Sequence, residues 1–172
     1  HHIDAVRKKD LQRTVSRQLG IKTSGLAGLY CYFVLLADRW LADDAISVWL
    51  IPSEFMDVNY GKALRDYLTK HVSLIQIHRY CPTEDKFDDA LVSSAVVVFR
   101  KRKPSLDTEA KLSFGGPMES PNFVTRITNE RLQNETRWTR LARPIAESRS
   151  KETVRGQAKD LSIGDLFTVK RG

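Results

Sequence analysis

AISVWLIPSEFMDVNYGKALRDYLTKHVSLIQIHRYCPTEDKFDDALVSSAVVVFRK, residues 45–101, decides how this chain folds. Ile46–Ile51 is an unbroken apolar run apart from Ser47, the pattern of a strand in a parallel sheet with both faces covered. Pro52 ends it, and Ser53-Glu54 opens a turn. Gly61–His71 predicts a helix with Leu64, Tyr67 and Leu68 on its buried side. In Leu74–Tyr80, Leu74, Gln76 and His78 alternate with Ile75, Ile77 and Arg79, as in a strand. A polar, acidic loop over Cys81–Leu91 leads into the valine-rich strand Ser93–Phe99. Strand, helix, strand, loop and strand in succession describe part of an α/β sheet, the second half of a larger domain.

Upstream, residues 3–19 carry Ile3, Val6, Leu11, Val15 and Leu19 among many charges, a weakly amphipathic helix ending at Gly20. Ile21–Gly28 is a glycine-bearing turn. Leu26, Leu29, Tyr30, Phe33, Leu36, Ala37, Trp40 and Leu41 then recur at three- and four-residue spacing, the strongest helical signal in the chain, and Asp43-Asp44 closes it. Downstream, Pro104 starts a composition change. From there to Asp160 periodicity is weak apart from a candidate helix over Thr125–Trp138, and Leu161–Arg171 has the pattern of a turn leading into a strand. No initiator Met opens the sequence, and its last residues begin an element without continuation, so it reads as a piece of a bigger protein.

A hydrophobic content of 41% suffices for a buried core. No apolar run approaches the eighteen or so residues of a membrane span, and no secretory leader is visible. Cys31 and Cys81 are too few for a disulfide framework or a metal site. They read as reduced thiols of a cytoplasmic protein, with Cys31 in the core, and no metal is expected. The net charge of +7 is unevenly placed. Up to Phe99 there are 12 Lys+Arg and 12 Asp+Glu; from Arg100 onward there are 16 and 9. A neutral half joined to a basic one points to a polyanion such as nucleic acid.

Catalytic motifs are sparse. Gly25 and Gly28 precede a helix but follow no strand, so they do not make a phosphate loop. His71 and His78 fall in a helix end and a strand, with no nucleophile elbow, and His78 reads as a surface or half-buried strand residue. Asp43-Asp44 and Asp88-Asp89 have the character of solvated loops. Phe87 stands out within Glu84-Asp85-Lys86-Phe87-Asp88-Asp89. Its ring either anchors the loop on the sheet edge or is exposed for stacking on a base or ligand.

LYCYF (Leu29–Phe33), SVWLIPSEFM (Ser47–Met56), NYGKALRDYL (Asn59–Leu68) and KFDDALVSSAVVVFRK (Lys86–Lys101), in this order and spacing, resemble the γ-type N6-adenine DNA methyltransferases of restriction–modification systems, the TaqI-like and Eco57I-type enzymes. The resemblance covers residues 23–103, and SIGDLFTVKRG (Ser162–Gly172) is similar to the opening of that family's target-recognition domain. It implies an α/β fold: a partial Rossmann-like methyltransferase sheet, comprising its last strands with a closing antiparallel hairpin, followed by a mostly irregular or helical basic segment. Residues 1–103 would be the C-terminal half of the catalytic domain, 104–160 a linker or helical connection, and 161–172 the start of target recognition.

The function implied is transfer of a methyl group from S-adenosylmethionine to an adenine flipped out of double-stranded DNA, in a prokaryotic cytoplasm. By that similarity Phe87 stacks on the flipped base, Phe33 and Tyr30 line the cofactor's adenine pocket, and Lys86, Arg100 and Arg102 are DNA-contacting cations. The family's Asn-Pro-Pro-aromatic tetrapeptide and its glycine-bearing cofactor motif do not occur in these 172 residues. The expectation is therefore a chain without its own catalytic group, inactive alone and partnered by the N-terminal half of the domain. Two other readings stay open: a self-contained, non-catalytic nucleic-acid-binding module, and an unrelated small-molecule-binding α/β domain.

Overall fold

Residues 4–81 and 93–142 are described by the computed structural model. Helix α1 (Ala5–Leu19) starts where the Asp4 carboxylate accepts a hydrogen bond from the Arg7 amide at 2.9 Å, satisfying one of the free donors of its first turn. It stops at Gly20, whose φ of 68° suits glycine as a left-handed cap. Helix α2 (Leu29–Ala37) is shorter than the apolar periodicity predicts, because Asp38–Trp40 tightens into a 3₁₀ turn.

Among the described residues five strands follow: β1 (Ile46–Pro52), β2 (Ser73–Arg79), β3 (Ser94–Arg100), β4 (Glu109–Phe114) and β5 (Phe123–Thr128), with α3 (Lys62–Lys70) between β1 and β2 and α4 (Asn129–Asn134) after β5. They form one sheet in the order β1-β3-β2-β4-β5. The β2–β3 hairpin is antiparallel and folds back so that β3 lies between β1 and β2; β4 runs parallel to β2, and β5 antiparallel to β4.

One face of the sheet carries the core. Ile51, Ala95, Val97, Phe99, Leu74, Ile77, Ala110, Leu112 and Ile127 are buried there, packed with α2 and α3 through Val34, Leu35, Leu64 and Leu68. Tyr67 meets Phe99 edge to face at 5.7 Å. The other face is largely open: Ile46, Val48, Leu50, Ile75 and Val124 are between 38 and 63% exposed.

Three expectations are corrected. β1 is not a parallel strand covered on both faces; it pairs antiparallel with β3, and its burial alternates. In β2 a register shift between Leu74 and Gln76 makes Ile75 an extra residue, so Leu74 and Ile77 share the core face although strict alternation would oppose them. His78, read as a surface or half-buried strand residue, is fully buried. Its Nδ1 lies 2.9 Å from the Ser113 hydroxyl and its Nε2 3.1 Å from the Gly116 carbonyl, tying β2 to β4.

The segment after Pro104 supplies β4 and β5, whose six-residue lengths are too short for periodicity to stand out. The candidate helix over Thr125–Trp138 divides into the end of β5, the short α4 and a 3₁₀ turn at Trp138–Ala142. Phe87, Lys86 and the stretch 161–172 lie outside the described residues.

Candidate functional site

The carboxyl end of β1 gathers the side chains that could serve a ligand. Pro52 is paired with Ser94, and the Ser53 amide donates to the Ser93 carbonyl at 2.8 Å, so β1 ends where β3 begins. Arg79, the last residue of β2, donates from Nε to the Ser53 hydroxyl at 3.2 Å and from a terminal nitrogen to the Ser93 hydroxyl at 3.3 Å. Its guanidinium also lies over the Phe114 ring at 5.4 Å. Arg79 thereby binds the ends of β1 and β2 to the start of β3, at the roots of segment 82–92, which holds Lys86 and Phe87 in the sequence.

Tyr30 and Glu54 face each other at this end. The Tyr30 hydroxyl donates to Glu54 Oε1 at 3.3 Å. Its ring lies back over Gly28, where an added Cβ would stand 2.6 Å from the ring edge, so only glycine leaves this space. Burial first, then Cys31 and the Glu54 carboxylate, raise the Tyr30 phenol far above its ordinary value. The Tyr60 phenol is raised too, by desolvation and by the same carboxylate. Tyr30 is therefore a neutral hydroxyl whose donated proton is already committed to Glu54, a fixed wall rather than an acid or base.

Phe33, one turn along α2 from Tyr30, is 65% exposed, and Trp40, two turns further, is 76% exposed. A helix apolar on nearly every side is expected inside a protein. Here Phe33 and Trp40 remain uncovered on the helix and 3₁₀ turn that precede β1.

The structure brings Tyr30 and Phe33 together, but it does not bring Arg100 or Arg102 to them. Arg100 pairs with Ile46, at the opposite end of the strands from Pro52. Six residues of extended chain separate it from Ser94, roughly 20 Å. There Arg100 and Arg102 lie 3.9 and 3.8 Å from Asp44. A surface occupied at both the Tyr30 end and the Arg100 end would have to span the sheet. A mixed-charge cleft of about 240 Å³ between α3 and α4, lined by Asn59, Lys62, Asp66, Gln133 and Glu135 among others, contains none of the expected site residues.

Glu54, Ser53, Ser93 and Arg79 escaped the reading of the sequence. The only signal for Glu54 was its place two residues after Pro52, where a strand's exit commonly carries ligand contacts in α/β sheets. Among the described residues no three of His, Cys, Asp or Glu are grouped to hold a metal ion, and no helix is long and apolar enough to cross a membrane.

Residues 4–87 match the Eco57I restriction-modification methylase family. The Type II methyltransferase M.XamI of Xanthomonas campestris pv. amaranthicola is 31% identical over 156 residues, 89% of this chain and 28% of that protein. The Type II methyltransferase M.AccI of Acinetobacter calcoaceticus is 31% identical over 90 residues, 52% of this chain and 17% of that protein. Among solved structures, the type IIG restriction endonuclease BpuSI has the same fold, with a TM-score of 0.63 at 19% identity over 96% of this chain and 24% of that one. The chain thus spans under a third of the length of each of these proteins.

Proposed function

Because residues 4–87 belong to the Eco57I-type restriction-modification methylase domain, we propose that this chain is the base-binding and cofactor-wall portion of a DNA methyltransferase that acts on the N6 amine of adenine. The observation that carries the reading is the exposed Phe33 beside a Tyr30 held in place by Glu54, at the carboxyl end of an edge strand. A flat apolar ring left uncovered next to a hydrogen-bonded aromatic wall fits the adenine of S-adenosylmethionine. That cofactor, when bound, supplies an electrophilic methyl group.

This chain's residues bind and orient. Tyr30 and Phe33 form one wall of the cofactor pocket, and Phe87 stacks on the adenine drawn out of the duplex. Arg79, Ser53 and Ser93 hold together the strand ends from which the Phe87 segment departs. The groups that would receive the amine are absent from these 172 residues, so the chain alone transfers no methyl group. Its partner in catalysis is the remaining portion of the catalytic domain, which would pair along the outer edge of β1 and cover Ile46, Val48 and Leu50 on one side and the Phe33–Trp40 stripe on the other. The basic residues after Phe99 favour DNA as the substrate polymer.

The test combines this chain with the rest of the catalytic body, labelled S-adenosylmethionine and duplex DNA, followed by digestion and separation of the nucleosides. N6-methyladenine is expected from the assembly and none from the chain alone. Phe87→Ala should weaken transfer by removing stacking that contributes about 1–3 kcal/mol per base, with little change in folding. An assembly that binds duplexes at low salt without sequence preference and methylates none would replace this reading with the non-catalytic module.

A further inference from the structure

The loop after β1 is held by residues that come much later in the chain. The Thr139 hydroxyl lies 2.7 Å from both carboxylate oxygens of Asp57, and the Thr139 amide donates to Asp57 Oδ1 at 3.2 Å. Next to them Trp138, fully buried, meets Phe55 edge to face at 6.4 Å, and its indole N–H donates to the Leu132 carbonyl at 3.0 Å. These contacts close a separation of 82 residues.

From Asp57 the contacts run toward the candidate site in two short steps. The amides of Asp57 and Val58 both donate to the Glu54 carbonyl, at 3.0 and 3.2 Å. The Glu54 carboxylate then accepts from Tyr30. A carboxylate fixed by a hydroxyl and a backbone amide is a rigid anchor, since charge-assisted hydrogen bonds are about twice as strong as neutral ones. An exposed Glu54 on a loose turn would instead sample many rotamers, and Tyr30 with it.

We propose that Thr139 and Asp57 are a positioning pair that holds the turn after β1, and through Glu54 sets Tyr30 in place as a cofactor wall. The pair acts through the turn. Its effect on the cofactor rests on the methyltransferase reading; its effect on the turn does not.

Two measurements on Thr139→Val, which keeps the volume and removes the hydroxyl, test it. In the chain itself, hydrogen exchange at the Asp57 and Val58 amides should accelerate about tenfold, the factor that corresponds to one lost hydrogen bond, with the amides of α3 unchanged. In the assembled methyltransferase, KM for S-adenosylmethionine should rise about tenfold, while KM for DNA and kcat stay within about twofold. Thr139→Ser, which restores the hydroxyl, should return both readouts to wild-type values; a role in packing alone would not discriminate serine from valine in this way.

Unchanged exchange in Thr139→Val overturns the brace. Accelerated exchange with an unchanged cofactor KM overturns its functional consequence. Should Thr139→Val fail to fold, Asp57→Ala, which removes both acceptor oxygens, is measured in its place, and wild-type values for it overturn the proposal. A wild-type assembly that transfers no methyl group refutes the methyltransferase reading instead, and the exchange measurement alone then decides whether the brace exists.

Discussion

Removing the Asp38 carboxylate should destabilise the fold far more than an ordinary surface substitution. Asp38 Oδ1 accepts from the hydroxyl of Tyr67 at 2.8 Å, and Lys101 bonds both the carboxylate and, at 3.1 Å, the Asp38 carbonyl. This latch joins the end of α2 to α3 and β3 at the end of the sheet away from the candidate site. Tyr67 is 0% exposed, so in Asp38→Ala its hydroxyl is left buried without an acceptor, which costs about 1–3 kcal/mol. The Lys101 side chain keeps 22% of its exposure and one carbonyl partner, so loss of its counter-ion adds only about 1 kcal/mol.

The total for Asp38→Ala is therefore about 2–4 kcal/mol. Asp38→Asn retains an acceptor for Tyr67 and should cost about 1 kcal/mol. Tyr67→Phe keeps the ring against Phe99 and should cost about 1 kcal/mol as well. In the double variant Asp38→Ala/Tyr67→Phe no hydroxyl is stranded, so its loss should fall short of the sum by 1 kcal/mol or more, as expected for residues in one network (roughly 0.5–3 kcal/mol). Urea unfolding followed by far-ultraviolet circular dichroism, with unchanged m-values, gives all four free energies. A loss under about 0.5 kcal/mol for Asp38→Ala, or strict additivity in the cycle, refutes the latch.

Gly61→Ala should lose about 1–3 kcal/mol, because its Cβ would stand 2.3 Å from the Phe55 carbonyl oxygen and 2.5 Å from the Phe55 Cα; a thermal melt equal to wild type contradicts this contact. His71 has its pKa lowered mainly by burial, so the unfolded chain takes up this proton first, and stability should fall as pH drops below about 6.5 until the folded imidazole also titrates. His71→Gln should show a smaller loss between pH 7.5 and 5.5; an equal loss in both proteins assigns the effect elsewhere. Burial pushes the Cys31 thiol up to about 11, which leaves about one thiolate in a thousand at pH 8. Alkylation of Cys31, read by peptide mass spectrometry, should follow the urea unfolding curve, and rapid labelling of the native chain would show the thiol to be accessible.

The elements between Ala5 and Arg100 were legible because each one carries its own pattern. The apolar run at Ile46–Ile51, the spacing of Leu64, Tyr67 and Leu68, and the valines before Phe99 each announce an element within ten residues. What failed was anything set by neighbours. That β1 is covered on only one face depends on which strands lie beside it. The shift at Ile75 depends on pairing with Phe99 and Val98. Strands β4 and β5 carry Lys111 and Arg126 on the open face, so they never form the apolar runs that would have revealed them.

The site was legible to a different degree. Tyr30 and Phe33 came from a local five-residue motif, and the structure sets them on one helix near Glu54. Arg100 and Arg102 were expected as DNA-contacting cations, and their place in the sequence does not say at which end of the sheet they lie relative to Tyr30. Once β3 is seen to run antiparallel to β1, its first residue must meet the exit of β1 and its last must meet the entry. This geometry sends the basic cluster to Asp44 and Ser93 to Ser53. The contact between Thr139 and Asp57 shows the same limit more severely. Neither residue type is unusual where it stands, and only the folded sheet carries the chain back across 82 residues to join them. A site supported in this way responds to substitutions far from any motif, so a scan confined to the motif residues would leave its support unseen.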